Sequence, residues 1–281
     1  MAKTLAPLYI RKSKLSETDK IKELTNYLSS SLEARQADYK SDLKIYPDVK
    51  MIKIGGQSIT DRGRSAMFPI LDELVANKEK HQIMILSGGG TRARHTYHIG
   101  IDLGMPIGVM AEMGGSITVQ NARMIQMLLA KHGGIYVDTL EFDKIPLFLR
   151  MGCIPIMSGM PPYSFWEDIP DHGNIPMNRT DTGVFFVGES LGVETIYFIK
   201  DEEGLYTDDP KKNPKARFIP KIHVEELREM DLNDLIVERV VLDYMVKAQN
   251  VKKLHIFNGL KKGNITKALE GEEIGTIIYR D

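Results

Sequence analysis

A chain of 281 residues, 42% hydrophobic and 27% charged, can bury the core of one large α/β domain or of two lobes. Thirty-seven basic and thirty-eight acidic residues leave a formal net charge of −1, so no global field draws the chain to nucleic acid or to an anionic membrane, and any anion site must be local. One cysteine excludes an internal disulfide, no apolar run approaches the ~18 residues that span a bilayer, and the first residues lack a signal-type apolar core, so the expected compartment is the cytoplasm.

Residues 1–45 are rich in Lys, Glu, Ser and Asp with intermittent apolar positions (Leu15, Ile21, Leu24, Leu28), which predicts a helical extension or arm. From Val49 onward, short β-branched runs at 49–54, 82–86, 135–137, 154–157, 195–199, 254–257 and 276–278 alternate with longer stretches of helical period. That alternation predicts an α/β fold, a three-layer αβα sandwich around a mostly parallel sheet. Within it, Met67, Ile70, Leu71, Leu74 and Val75 form one helical stripe, and Val240, Val241, Tyr244, Met245 and Ala248 form another; both read as core-facing. Cys153, in the apolar run Gly152-Cys-Ile-Pro-Ile-Met157, reads as a small buried hydrophobe. The stretch 158–178 carries Pro161, Pro162, Pro170 and Pro176, the aromatics Tyr163, Phe165 and Trp166, and the acidic pair Glu167 and Asp168. Irregular segments of this length inside compact domains are functional or mobile.

Four segments carry chemistry. In Met51-Ile-Lys-Ile-Gly-Gly-Gln-Ser58 a strand runs into two glycines, which either cradle an anion on backbone N–H groups beside Lys53 or simply end the strand. In Ile83-Met-Ile-Leu-Ser-Gly-Gly-Gly-Thr-Arg-Ala-Arg-His95 a second strand enters a glycine cluster and then a helix, with Arg92 and Arg94 in the first turn. Cations are disfavoured at a bare helix N-terminus, so their presence points to a bound anion. Asn178-Arg-Thr-Asp-Thr-Gly-Val184 opens an apolar helix, where Thr180 and Asp181 are either a cap with its partner or part of a site. Finally, Ile199-Lys-Asp-Glu-Glu-Gly-Leu-Tyr-Thr-Asp-Asp-Pro210 joins a strand-ending lysine to an acidic, aromatic, proline-closed loop, a set suited to a nucleoside triphosphate and its metal. Neither a Walker A sequence nor a strand-following G-x-G-x-x-G is present.

These segments, in this order, resemble the amino acid kinase superfamily; the pattern spanning 200–210 is the most specific. The resemblance implies that Lys53 contacts the transferring phosphate, that Asp181 organises the phosphate-binding lysines, and that Lys53, Asp181 and Lys200 form the catalytic set. It further implies a nucleotide held by Gly55, Gly56, Gly88, Gly89, Gly90, Arg92, Lys200, Gly204, Tyr206, Asp209 and Pro210, with ATP and Mg2+ as cofactors. Residues 46–281 become one kinase-like domain, with 46–190 as the lobe facing phosphate, acceptor or cage interior and 191–281 as the nucleotide-binding lobe. Uridylate kinases are similar, but two acceptor-side segments depart from them: Gly88-Gly-Gly-Thr-Arg-Ala-Arg-His95 replaces their Gly-Gly-Gly-Asn turn, and Ser158-Gly-Met-Pro-Pro-Tyr-Ser-Phe-Trp166 replaces a compact loop.

Both departures resemble the molybdenum storage proteins, with Lys53-Ile-Gly-Gly-Gln-Ser58, Gln120-Asn121, Arg179-Thr-Asp-Thr182 and Asn258-Gly-Leu260 also matching, and the likeness is to their β subunit. That family implies a hexameric cage that uses ATP to accumulate molybdate or tungstate as polynuclear oxide clusters, as a homo-oligomer or with an α-like partner. Storage with coupled ATP hydrolysis is the leading expectation, and transfer of phosphate from ATP to UMP is the alternative. The run Ser164-Phe-Trp166 stands where the α subunit has histidines. Metal candidates are His95 and His98, three apart on one helix face, together with Gln120, His132 and His172, the two last by resemblance only; ordinary solvated or capping roles compete for each.

Overall fold

The structure, a computed structural model, describes residues 16–36, 44–170, 173 and 175–281. Contacts divide the chain into two units, Met1–Asp42 and Leu43–Asp281. The first contains helix α1 (Glu17–Gln36), begun by Ser16, whose hydroxyl accepts the Asp19 N–H at 3.2 Å.

In the second unit the order is β1 (Lys50–Ile54), α2 (Arg64–Asn77), β2 (Ile83–Ser87), α3 (Gly90–Asp102), α4 (Ile107–Leu129), β3 (Gly134–Tyr136), α5 (Ile145–Arg150), β4 (Ile154–Ser158) and α6 (Thr180–Leu191). Then follow β5 (Thr195–Lys200), β6 (Leu205–Tyr206), β7 (Phe218–Ile219), β8 (Lys221–His223), α7 (Val224–Glu229), α8 (Arg239–Lys247), β9 (Lys253–Asn258), α9 (Asn264–Leu269) and β10 (Thr276–Tyr279). The eight-stranded sheet runs β3-β4-β2-β1-β5-β9-β10-β8. It is parallel except where β10 meets β9 in antiparallel register.

The alternation of side chains along each strand explains why both faces need cover. Met51, Met84, Leu86, Ile196 and Phe198 join one core with residues of α6 and α8, while Ile52, Ile54, Ile85, Ile156 and Ile199 join the other with residues of α2, α4 and α9. Both helical stripes read from the sequence face these cores, Met67, Ile70, Leu71 and Leu74 in α2 and Val241 and Met245 in α8. All seven expected strands are present. The antiparallel ribbon β6–β7 and the edge strand β8 were not expected, because runs of two or three residues carry no periodicity.

In 158–178 the structure has a short 3-10 turn, Ser164–Trp166, and a closure in which buried Glu167 accepts the N–H and side-chain amide of Asn178 at 2.8 and 3.1 Å. Cys153 is half-buried and free. Among the described residues no helix is long and apolar enough to cross a membrane.

After β1 the chain adds β2, β4 and β3 on one side, and after α6 it adds β5 and β9 on the other. The strand order therefore reverses between β1 and β5, and in open α/β sheets a ligand crevice forms outside the carboxyl ends of the strands at such a point. Phe198, fully buried on β5, lies in the α6-side core in register with Lys53. Phe198→Ala is expected to lower the unfolding free energy by about 3–5 kcal/mol, measured by urea denaturation.

Candidate functional site

The carboxyl ends of β1, β2 and β5 open into a cleft of about 1300 Å³. That exceeds the roughly 300–1,000 Å³ typical of a single small-molecule site, so the cleft has room for more than one group. Lys53, Asp181 and Lys200 all line it.

Lys53 is the penultimate residue of β1 and points to the α6 side of the sheet, as alternation from Met51 requires. Its ammonium pairs with the Asp181 carboxylate, both side chains being 6% exposed. Asp181 stands in the first turn of α6. Burial alone would raise its pKa, but the charges of Lys200 and Lys53 and the hydrogen bond from Lys53 prevail and lower it from 3.8 to about 2. Burial also pulls the Lys200 ammonium below its ordinary value, opposed by the Asp181 charge.

A third residue fixes this pair. Glu238, buried just before α8, accepts the N–H groups of Asp181 and Thr182 at 3.1 Å each, that of Arg179 at 3.0 Å and the Thr182 hydroxyl at 2.8 Å. Its own N–H donates to the second Asp181 oxygen at 3.1 Å. The anion that the start of α6 attracts is therefore internal. Thr180 and Asp181 do not cap the helix by their own side chains, since Glu238 takes that role from 57 positions away in the Asp181 contact.

The glycine turns interlock. A Cβ on Gly56 would lie 2.1 Å from the Gly90 nitrogen, and one on Gly88 would lie 2.5 Å from the Gly56 nitrogen, so these positions need glycine because two backbones touch there. The N–H of Gly55 donates to Ile199 O at 3.2 Å and that of Gly88 to Ile54 O at 2.9 Å, so these two amides extend the sheet rather than facing a ligand. Asn121, fully buried on α4, ties the turn down by donating to the carbonyls of Gly88 and Gly89 at 2.6 and 3.1 Å.

Gly55, Gly56, Gly88, Gly89, Gly90, Lys200, Gly204, Tyr206, Asp209 and Pro210 all line the cleft. Arg92 does not. Its guanidinium binds Asn121 Oδ1 and, at 3.2 Å, Gln120 Oε1, so neither Arg92 nor Gln120 reaches the cleft, whereas Arg94 does. Tyr206 on the β6–β7 ribbon packs edge-on against Phe218, with ring centroids 5.3 Å apart. Asp209 closes the next turn by accepting the Lys211 N–H at 2.9 Å and the Lys212 ammonium at 3.1 Å.

His98 reaches the cleft from α3 and His95, exposed on the same helix, does not; His132 is half-buried in the short turn after α4, and His172 lies outside the described residues. Among the described residues no group of three or more His, Cys, Asp or Glu side chains is placed to hold a metal ion. A Mg2+ ion here would rely on one or two carboxylates such as Asp201 or Asp208 together with substrate phosphates, as that ion ordinarily does.

Glu238 and Asn121 hold the site in place and Asp61 lines the cleft, yet none of the three stands out in the sequence for that role. Glu238 had one signal, a lone carboxylate after Ile236-Val237 and before a helical stripe. Asp61 had none beyond a turn-forming Thr-Asp-Arg-Gly.

The depressed Asp181 pKa fixes a sign. A folded value below the unfolded one stabilises the protein above pH 3.8, and that contribution disappears as pH falls through 3.8 towards 2. Asp181→Asn should therefore destabilise the protein by about 3–5 kcal/mol at pH 7, with a gap to the parent that narrows at pH 2.5 in urea unfolding. An equal gap at both pH values would show that the charge is not responsible.

The sequence profile of the amino acid kinase family matches residues 48–258. The chain is 47% identical over 238 residues to molybdenum storage protein subunit beta of Azotobacter vinelandii, covering 85% of this chain and 88% of that one. It is 30% identical over 203 residues to a uridylate kinase of Thermofilum pendens, covering 70% and 80%. Among solved structures, the UMP kinase of Bacillus anthracis superposes with a TM-score of 0.65 at 19% identity over 83% of this chain and 96% of that one, a likeness of fold.

Proposed function

Because the chain belongs to the amino acid kinase family and, within it, to the molybdenum storage proteins, we propose that it is a nucleotide-binding storage subunit that uses ATP to accumulate molybdate or tungstate as polynuclear oxide in an oligomeric cage. The similarity to a storage-protein subunit across most of this chain carries the reading. The cage is proposed to be a hexamer, built from copies of this chain or with an α-like partner, and the compartment the cytoplasm.

The cleft supplies what phosphoryl chemistry on ATP requires. Such transfer depends on positioning and on neutralising charge at the phosphate oxygens more than on covalent steps. Lys53, held in place by Asp181 and Glu238, presents an ammonium at the switch point between β1 and β5. Lys200 presents a second from the end of β5, on the proposed nucleotide-binding lobe of 191–281. Asp181 sets the position of Lys53 and holds its own charge at neutral pH. Tyr206 and the turn through Asp209 and Pro210 border the proposed adenosine end, and the residues before 190 border the acceptor or cargo end. Bound Mg2+ supplies neutralisation of the phosphate charge that develops on transfer. Cargo in polynuclear form is an anion with an oxygen surface, which N–H donors hold better than carboxylates do, and His95, His98, Gln120, His132 and His172 remain its proposed contacts.

The shared fold and the Lys53–Asp181–Lys200 arrangement also suit a kinase of UMP, which is the second reading. One experiment separates them. The protein is incubated with molybdate, with and without Mg-ATP, gel-filtered and assayed for metal. Many metal atoms per subunit are expected only with ATP, and Lys53→Ala should reduce them at least tenfold. Equal retention without nucleotide would sink the ATP-driven form. Metal-free samples that convert UMP to UDP would establish the kinase instead.

A further inference from the structure

The start of α3 opens into the cleft, yet a carboxylate of the chain itself already stands there and takes one of its N–H groups. Asp61 lies on the turn Thr60–Arg62, where its Oδ2 accepts the Thr91 N–H at 2.5 Å. The turn is held in place. Thr60 N–H donates to Gly55 O at 3.0 Å, Asp61 N–H donates to Gly56 O at 2.9 Å, and the Arg62 guanidinium pairs with Asp201 just beyond β5. On the other side, Gly90 has φ +74° and no side chain; a Cβ there would stand 2.7 Å from both Asp61 oxygens. The glycine thus makes room for the carboxylate.

A helix start offers N–H donors and partial positive charge to whatever anion arrives first. Here the anion is covalently supplied and oriented, so an incoming phosphate would have to displace it and face its charge at close range. Of the arginines around this helix start, Arg92 is turned away onto Gln120 and Asn121 and Arg62 is paired with Asp201, while Arg94 borders the cleft one turn further along the helix. Lys53 and Lys200 offer their ammonium groups to phosphate from the β1 and β5 ends of the cleft, away from this helix start.

We infer that Asp61 is a specificity determinant: seated where an acceptor phosphate would bind at the start of α3, it makes the cleft reject nucleoside monophosphates while leaving the lysine-lined part open to a nucleoside triphosphate. The inference rests on the reading of the cleft as a nucleotide site. It accounts for a kinase-like cleft in a chain whose proposed role needs no phosphate-bearing acceptor.

The test is binding, by calorimetry, of UMP and of uridine to the full-length protein and to Asp61→Ala and Asp61→Asn. Asn keeps an oxygen for the Thr91 N–H and so guards the helix start if the Ala chain fails to fold. Removing the charge should strengthen UMP binding by about tenfold or more, the scale of one charge-assisted hydrogen bond. Uridine, which lacks the phosphate, should bind all three chains alike. UMP affinity equal in parent and variants, or gained equally by uridine, would overturn the inference. Binding of a non-hydrolysable ATP analogue to the parent chain is measured alongside. Its absence would overturn the cleft reading itself, whereas its presence with unchanged UMP affinity would overturn the role of Asp61 alone.

Discussion

The site depends on a buried ion pair that one further carboxylate keeps in place. Lys53 and Asp181 come from β1 and α6, and burying two charges is tolerable only if their remaining hydrogen-bonding capacity is met. The Glu238 N–H meets the second Asp181 oxygen, and its side chain holds the backbone from which Asp181 projects. Three segments 53, 181 and 238 positions along the chain are thus locked at the point where the strand order reverses. Lys200 joins from the adjoining strand, and its charge helps to keep Asp181 ionised. A lysine so held cannot swing freely to solvent, which is the preorganisation that electrostatic catalysis needs.

The same device recurs. Glu73 on α2 accepts the N–H groups of Gly263 and Thr266 at the start of α9, at 3.1 and 2.7 Å, Asp61 meets α3, and Glu238 meets α6. Glu189 on α6 gathers the N–H groups of Gln249, Asn250 and Val251 as the chain turns from α8 towards β9. In each case a carboxylate distant in sequence satisfies backbone donors that the local sequence leaves open. With carboxylates already at these helix starts, the charge open to an anion in the cleft comes from side chains, and Lys53, Lys200, Arg94 and Arg179 all border it.

This explains what the sequence disclosed and what it withheld. The seven main strands and both apolar stripes were legible because period two and period 3.6 are local signals, and the family resemblance rested on contiguous motifs. Lys53, Asp181 and Lys200 stood out as lysines and a carboxylate at strand and helix ends. Glu238 and Asp61 did not, because their roles come from contacts about 57 and 30 positions away. Of the two arginines beside the second glycine turn, Arg94 borders the cleft, but Asn121 and Gln120 on α4 hold the Arg92 guanidinium away from it, a contact about 30 positions off that the local sequence does not show. The glycines were noticed as donors, whereas two of their amides complete the sheet and their lack of side chains lets two turns meet.

That meeting of turns bears on how such a chain can change over generations. Gly56 and Gly90 approach so closely that a methyl group on the first would overlap backbone of the second, and a methyl group on Gly88 would overlap backbone of Gly56. Backbone cannot shrink to compensate, unlike a flexible side chain, so no substitution elsewhere in either turn relieves the overlap. The two turns are therefore sterically one piece: side chains on the helices behind them and the loops beyond them are free of this overlap, so a change of ligand preference would have to be made around the contact, in residues such as Asp61 that border the same cleft.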